Sequence, residues 1–136
     1  MDANELLRSA VRRRSRPQGL RGQGFTIMFA VERTRVGGEA CVAVAGEVDV
    51  DTAPRMRDAL LEAIAEGEAV FVDLGSVTFM DSVGLSALIV ARHAADARGL
   101  PLRLRNVPPR VLKLLTLTGL DDWLTVEATR TDGRDR

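Results

Sequence analysis

Residues Val70 to Ser86 read VFVDLGSVTFMDSVGLS, and this stretch decides the fold. Ala69–Leu74 is a short apolar run of the kind that fills a strand buried on both faces. A short loop is then expected to return Val77, Phe79 and Met80 to the core, with a helix starting at Asp81-Ser82. Either Asp81 or Ser82 is a competent N-cap, because both side chains accept a bond from the free backbone N–H groups of a first turn. Strand, short connection and capped helix make half of a crossover unit, which points to a parallel sheet with helices packed on it.

The flanking sequence extends this pattern. Phe25–Thr34 alternates Phe25, Ile27, Phe29 and Val31 against Thr26, Met28 and Glu32, the period of a half-buried strand. Gly37-Gly38 turns the chain into Ala40–Ala45, a continuous apolar run suited to a central strand. Thr52–Glu66 has helical spacing, with Met56, Leu60, Ala63 and Ile64 on one face, Asp51 or Thr52 as cap, Pro54 in the first turn and Gly67 as stop. Ser82–Arg98 is the second helix, closed by Gly99, and Leu102–Asn106 the next strand. Pro108–Thr118 is a third helix ending at Gly119-Leu120, where a left-handed glycine and a folded-back apolar residue fit. Trp123–Ala128 makes a last short strand. The expected order is ββαβαβαβ in an α/β domain with a mixed, mostly parallel sheet.

The 136 residues, 46% of them hydrophobic, suffice for one domain with a real core. No apolar run reaches the ~18 residues of a membrane span, and no apolar segment follows the basic N-terminus as a secretory signal would. One cysteine, Cys41, excludes a disulfide framework, and one histidine, His93, excludes most histidine-rich metal centres. The reading is a soluble protein of a reducing compartment, the cytoplasm, with no cofactor. Six arginines between Arg8 and Arg21 oppose only Asp2 and Glu5, so Met1–Gly24 carries +4 and the rest −4. That asymmetry separates a flexible Arg-rich arm (1–24), a folded body (25–128) and a polar tail (129–136). No basic patch is evident on the folded body, so direct nucleic-acid binding is not expected.

The Asp81-Ser82 helix suggests function. On a helical wheel Leu85, Leu88 and Ile89 face the sheet, while Val83, Ala87, Val90 and Ala94 line the opposite, outward face. Small apolar side chains beside a hydroxyl suit a docking surface. Phosphorylating Ser82 would add roughly −1.5 to −2 charge beside Asp81. Free N–H groups and the helix dipole would tolerate that anion, so the fold survives while a docked partner is driven off.

Three segments carry a family resemblance. FMDSVGL at Phe79–Leu85 resembles the F-M-D-S-S/T-G-L signature of STAS domains, specifically bacterial anti-sigma factor antagonists. GEVDVDTA at Gly46–Ala53 is similar to the family's G-E-L-D-x-x-T-A segment. VLKLL at Val111–Leu115, followed by Thr118-Gly119-Leu120, resembles V-x-x-L-L-x-x-x-G-L/F. The likeness runs from about Phe25 to Ala128 and implies a single STAS-type domain. It further implies binding to a cognate anti-sigma factor that is also a GHKL-type serine kinase, which releases the sigma factor. The kinase would phosphorylate Ser82 and end binding, and a PPM-type phosphatase would restore it. Asp81 maps onto the acid beside the acceptor, and Asp49 onto the acid of the strand-to-helix loop that helps engage the kinase. With them, Val83, Gly84, Ala87 and Val90 form the expected contact surface. Val83 stands where the family usually has Ser or Thr, and Ser86 where glycine is common.

Rival readings are weaker. A Ser82–His93–aspartate triad fails because eleven residues of helix separate the two by about 16 Å, and no Gly-x-Ser-x-Gly elbow surrounds Ser82. An aspartate-phosphorylated receiver needs an acidic pair after the first strand, where Glu32-Arg33-Thr34-Arg35 stands, and a C-terminal lysine, whereas Lys113 lies within a helix. The remaining alternative is a non-switching STAS scaffold or adaptor subunit of a signalling, transporter or lipid-transport complex. Phosphoryl transfer would be the partner's chemistry, since no Gly-Lys-Ser/Thr phosphate loop is present. Enzymatic activity is therefore not expected.

Overall fold

The structure, a computed structural model, describes residues 29–127. The arm (1–24), Phe25–Met28 of the first expected strand and the tail (129–136) lie outside the described residues. Strand β1, Phe29–Val36, runs antiparallel to β2, Glu39–Val48, with Phe29 opposite Gly46 and Val36 opposite Glu39. Gly37 (φ 60°) and Gly38 (φ 86°) connect them, the two consecutive positive angles that a tight hairpin turn requires.

The chain continues through α1 (Ala53–Ala65), β3 (Val70–Met80), α2 (Ser82–Ala97), β4 (Leu102–Arg105) and α3 (Pro109–Leu117). The sheet order is β1-β2-β3-β4, with β3 parallel to both β2 and β4. The alternation of strands and helices thus gives the mixed, mostly parallel sheet its sequence implies.

The central strand β2 is buried on both sides: Ala40, Cys41, Val42 and Val44 are sealed from solvent. Val42, Val44, Val70, Val72, Leu102 and Leu104 of the sheet join Met56 and Leu60 of α1, Leu85 and Leu88 of α2 and Val111 and Leu115 of α3 in one core. Ala30, Ala43 and Ala45 form a second, small cluster. Burial pushes the Cys41 thiol up to about 11, with the Asp73 carboxylate adding to the effect. Gly119 (φ 75°) ends α3, and Leu120 folds back onto the core, its N–H donating to Leu115 O at 2.9 Å.

Three expectations are corrected. The loop after Leu74 is strand: register irregularities between Ala43 and Ala45 and between Gly46 and Glu47 let β3 stay paired with β2 as far as Val48–Met80. Val77 and Met80 are buried, but Phe79 is left 44% exposed instead of returning to the core. The last strand shrinks to an isolated parallel bridge between Val126 and Leu104. Thr125 adopts φ 55°, a costly angle for a β-branched residue that interrupts extended backbone. At the start of α1, neither Asp51 nor Thr52 caps with its side chain. Thr52 is the N-cap by position, but its hydroxyl donates to Glu47 O at 2.7 Å and accepts Asp49 N at 2.9 Å.

Candidate functional site

Two connections at the C-terminal end of the parallel strands meet at one point. The Asp81 backbone N–H donates to Val48 O at 3.2 Å, which fixes the start of α2 beside the end of β2. Asp49, the residue after Val48, is thereby brought next to the Asp81-Ser82 pair.

Each aspartate is committed to its own backbone. Asp81 is the N-cap of α2, and its Oδ1 accepts Val83 N at 2.9 Å and Gly84 N at 3.1 Å. Asp49 Oδ1 accepts Asp51 N at 3.0 Å and Thr52 N at 3.2 Å, making a closed turn that sets the loop before α1. The loops are therefore held rigid by carboxylates that also carry negative charge, with exposed Glu47 and Asp51 adding to it.

Ser82 occupies the first position of α2 and is exposed. Among the described residues its side chain makes no hydrogen bond, so side-chain capping rests on Asp81 alone. This changes the expected fate of a phosphoryl group. The first-turn donors of Val83 and Gly84 are already taken, so an anion on Ser82 Oγ would project into solvent beside a carboxylate.

The outward face is narrower than the helical wheel implied. Val83 (39%) and Val90 (44%) are exposed, but Ala87 is buried because α1 packs across that side of α2. A shallow groove of about 120 Å³ remains between the two helices, lined by Ala53, Pro54, Arg57, Val83, Ser86, Ala87 and Val90. Ala94 is half-buried.

Gly84 is also buried, and its role is spatial. A Cβ there would lie 2.7 Å from Met80 Cγ, 2.8 Å from Val48 Cγ1 and 3.2 Å from Val48 O. Only a hydrogen at this position lets the helix start reach the end of β2.

The sequence did not point to Arg57, to the exposure of Val50 (64%), or to buried Asp73, whose carboxylate accepts Gly75 N at 2.9 Å and Asn106 Nδ2 at 3.2 Å. An acid within the VFVDL run was the available signal for Asp73. His93 is exposed, its ring 5.0 Å from that of Trp123. Among the described residues no helix is long and apolar enough to cross a membrane.

Comparison with known proteins matches residues 31–127 to the family described as "Mlab, STAS domain". The anti-sigma-B factor antagonist of Bacillus subtilis (strain 168) is 33% identical over 92 residues, 68% of this chain and 84% of that protein. The anti-sigma-B factor antagonist of Listeria monocytogenes is 34% identical over 87 residues, 63% of this chain and 76% of that one. The crystal structure of an anti-sigma factor antagonist from Mycobacterium paratuberculosis superposes with a TM-score of 0.69 at 28% identity, covering 76% of this chain and 89% of the other.

Proposed function

The chain belongs to the STAS domain family as an anti-sigma factor antagonist, and we propose that phosphorylation of Ser82 switches its docking on an anti-sigma factor. The observation that carries this reading is the free, exposed Ser82 hydroxyl on a helix start whose cap is supplied entirely by Asp81. Modification there leaves the fold intact and changes only the surface.

In the unphosphorylated state the partner covers Ser82, Val83 and Val90 and engages the carboxylate-bearing loops at Asp49 and Asp81. Ala87 and Gly84 support this surface from beneath. A phosphoryl group on Ser82 finds the Val83 and Gly84 donors occupied by Asp81, so docking would bury a dianion beside the apolar Val83 and the Asp81 carboxylate, at a large desolvation cost. The partner is therefore released.

The partner is an anti-sigma factor with GHKL-type serine kinase activity, acting in the cytoplasm. It supplies ATP and magnesium for phosphoryl transfer, and a PPM-type phosphatase resets Ser82.

Capture from the native lysate with wild-type, Ser82→Ala and Ser82→Asp baits tests this. A GHKL-type kinase should be held by the first two and at least tenfold less by Ser82→Asp (~1.4 kcal/mol). Equal retention of that kinase by all three baits would overturn the switch. Retention of transporter or other STAS subunits by all three would establish the scaffold reading instead.

A further inference from the structure

A second concave surface lies on the other side of Phe79-Met80. It is a groove of about 310 Å³ between the end of β3 and α3, lined by Phe79, Met80, Arg110, Val111, Lys113, Leu114 and Leu117. Its apolar wall is open to solvent: Phe79 is 44% and Leu117 75% exposed.

The cations beside it differ from the others. Arg33, Arg35, Arg57, Arg92, Arg103 and Arg105 each pair with a carboxylate. Arg98 donates to the last carbonyls of α1, at Ile64 O and Ala65 O, and Arg55 lies over the Phe29 ring. Among the described residues, only Arg110 and Lys113 have no such partner, and both line this groove. The 24 residues from Ala97 to Leu120 contain no Asp or Glu. Glu47, across the ladder from Phe79, is not part of the lining.

An apolar trough edged by uncompensated positive charge fits one kind of occupant. We propose that this groove docks an acidic amphipathic helix of a protein partner, its apolar residues seated between Phe79 and Leu117 and its carboxylates meeting Arg110 and Lys113. The concave shape favours inserted side chains over a flat membrane surface. The site is distinct from the Ser82 surface, whose apolar groove is flanked by the carboxylate-bearing loops at Asp49 and Asp81, and it calls for a partner segment of opposite charge.

The test uses the full chain, ¹⁵N-labelled, and two synthetic helical peptides with identical leucines at i, i+3, i+4 and i+7. One carries Glu on its polar face and the other Lys. The Glu peptide should shift the amides of Met80, Val111, Leu114 and Leu117 and bind at least about tenfold tighter than the Lys peptide (~1.4 kcal/mol). Arg110→Glu with Lys113→Glu should reverse that preference; both residues are exposed, and circular dichroism verifies the fold. Leu117→Arg should weaken binding through the apolar wall, while Ser82→Asp should leave it unchanged, separating this proposal from the phosphoswitch. No shift with either peptide, equal binding of both, or shifts confined to Val83 and Val90 would overturn it. So would sedimentation with phosphatidylglycerol vesicles that Arg110→Glu with Lys113→Glu abolishes, without peptide binding, which would assign the groove to a membrane. Self-association abolished by Leu117→Arg would overturn it in favour of a second copy of the chain.

Discussion

Replacing Gly84 by alanine sets two effects of known size against each other. In a helix interior alanine is favoured over glycine by up to about 1 kcal/mol. Against this, the new methyl would sit 2.7 Å from Met80 Cγ and 2.8 Å from Val48 Cγ1, with Val48 O at 3.2 Å. Met80 is flexible enough to yield, but Val48 is β-branched, fully buried and attached to the carbonyl that receives Asp81 N–H. Overpacking at such a site costs about 1–3 kcal/mol. The clash wins, and we expect a net loss of about 1–2 kcal/mol, or a fall in Tm of roughly 5–10 °C. Thermal denaturation followed by circular dichroism measures it, and a double-mutant cycle with Val48→Ala locates it. Because Val48→Ala removes the methyl that collides, the two changes should couple favourably by at least about 0.5 kcal/mol. An unchanged or raised Tm for Gly84→Ala, or strict additivity in the cycle, would refute the reasoning, since helix propensity would then outweigh contact.

Three further outcomes follow from the same region and from the core. Asp81→Ala should lower stability by about 1 kcal/mol by freeing Val83 N and Gly84 N, whereas Ser82→Ala should change it by less than about 0.5 kcal/mol; chemical denaturation compares them. Cys41 should resist an aromatic disulfide reagent at pH 8 in the native protein and react at once in denaturant, because burial holds its thiol neutral. Its folded value is raised, so its contribution is complete below the ordinary value near 9 and declines as pH rises toward about 11. Cys41→Ala should remove that share of the alkaline loss in a pH series of denaturation midpoints.

The sequence by itself determined what depends on local period and backbone chemistry. The continuous apolar run at Ala40–Ala45 required a strand covered on both sides, and Gly37-Gly38 required a tight turn. The helical spacing of Met56, Leu60, Ala63 and Ile64 set the buried face of α1. Asp81 ahead of Val83 and Gly84 marked a capped helix start, with Ser82 beside it.

Tertiary structure decided what lay across from each face. The helical wheel gave the direction of Ala87 but not the arrival of α1, so an outward residue became a buried one. Pairing with β2 across two register irregularities carried β3 past Leu74 and left Phe79 in solvent. Thr125's left-handed backbone reduced a strand to one bridge. Gly84 belonged to a helix pattern in one dimension, and only the approach of Val48 and Met80 made its missing side chain a requirement. Periodicity reports which way a side chain points; burial, collision and hydrogen bonding depend on which distant segment comes to meet it.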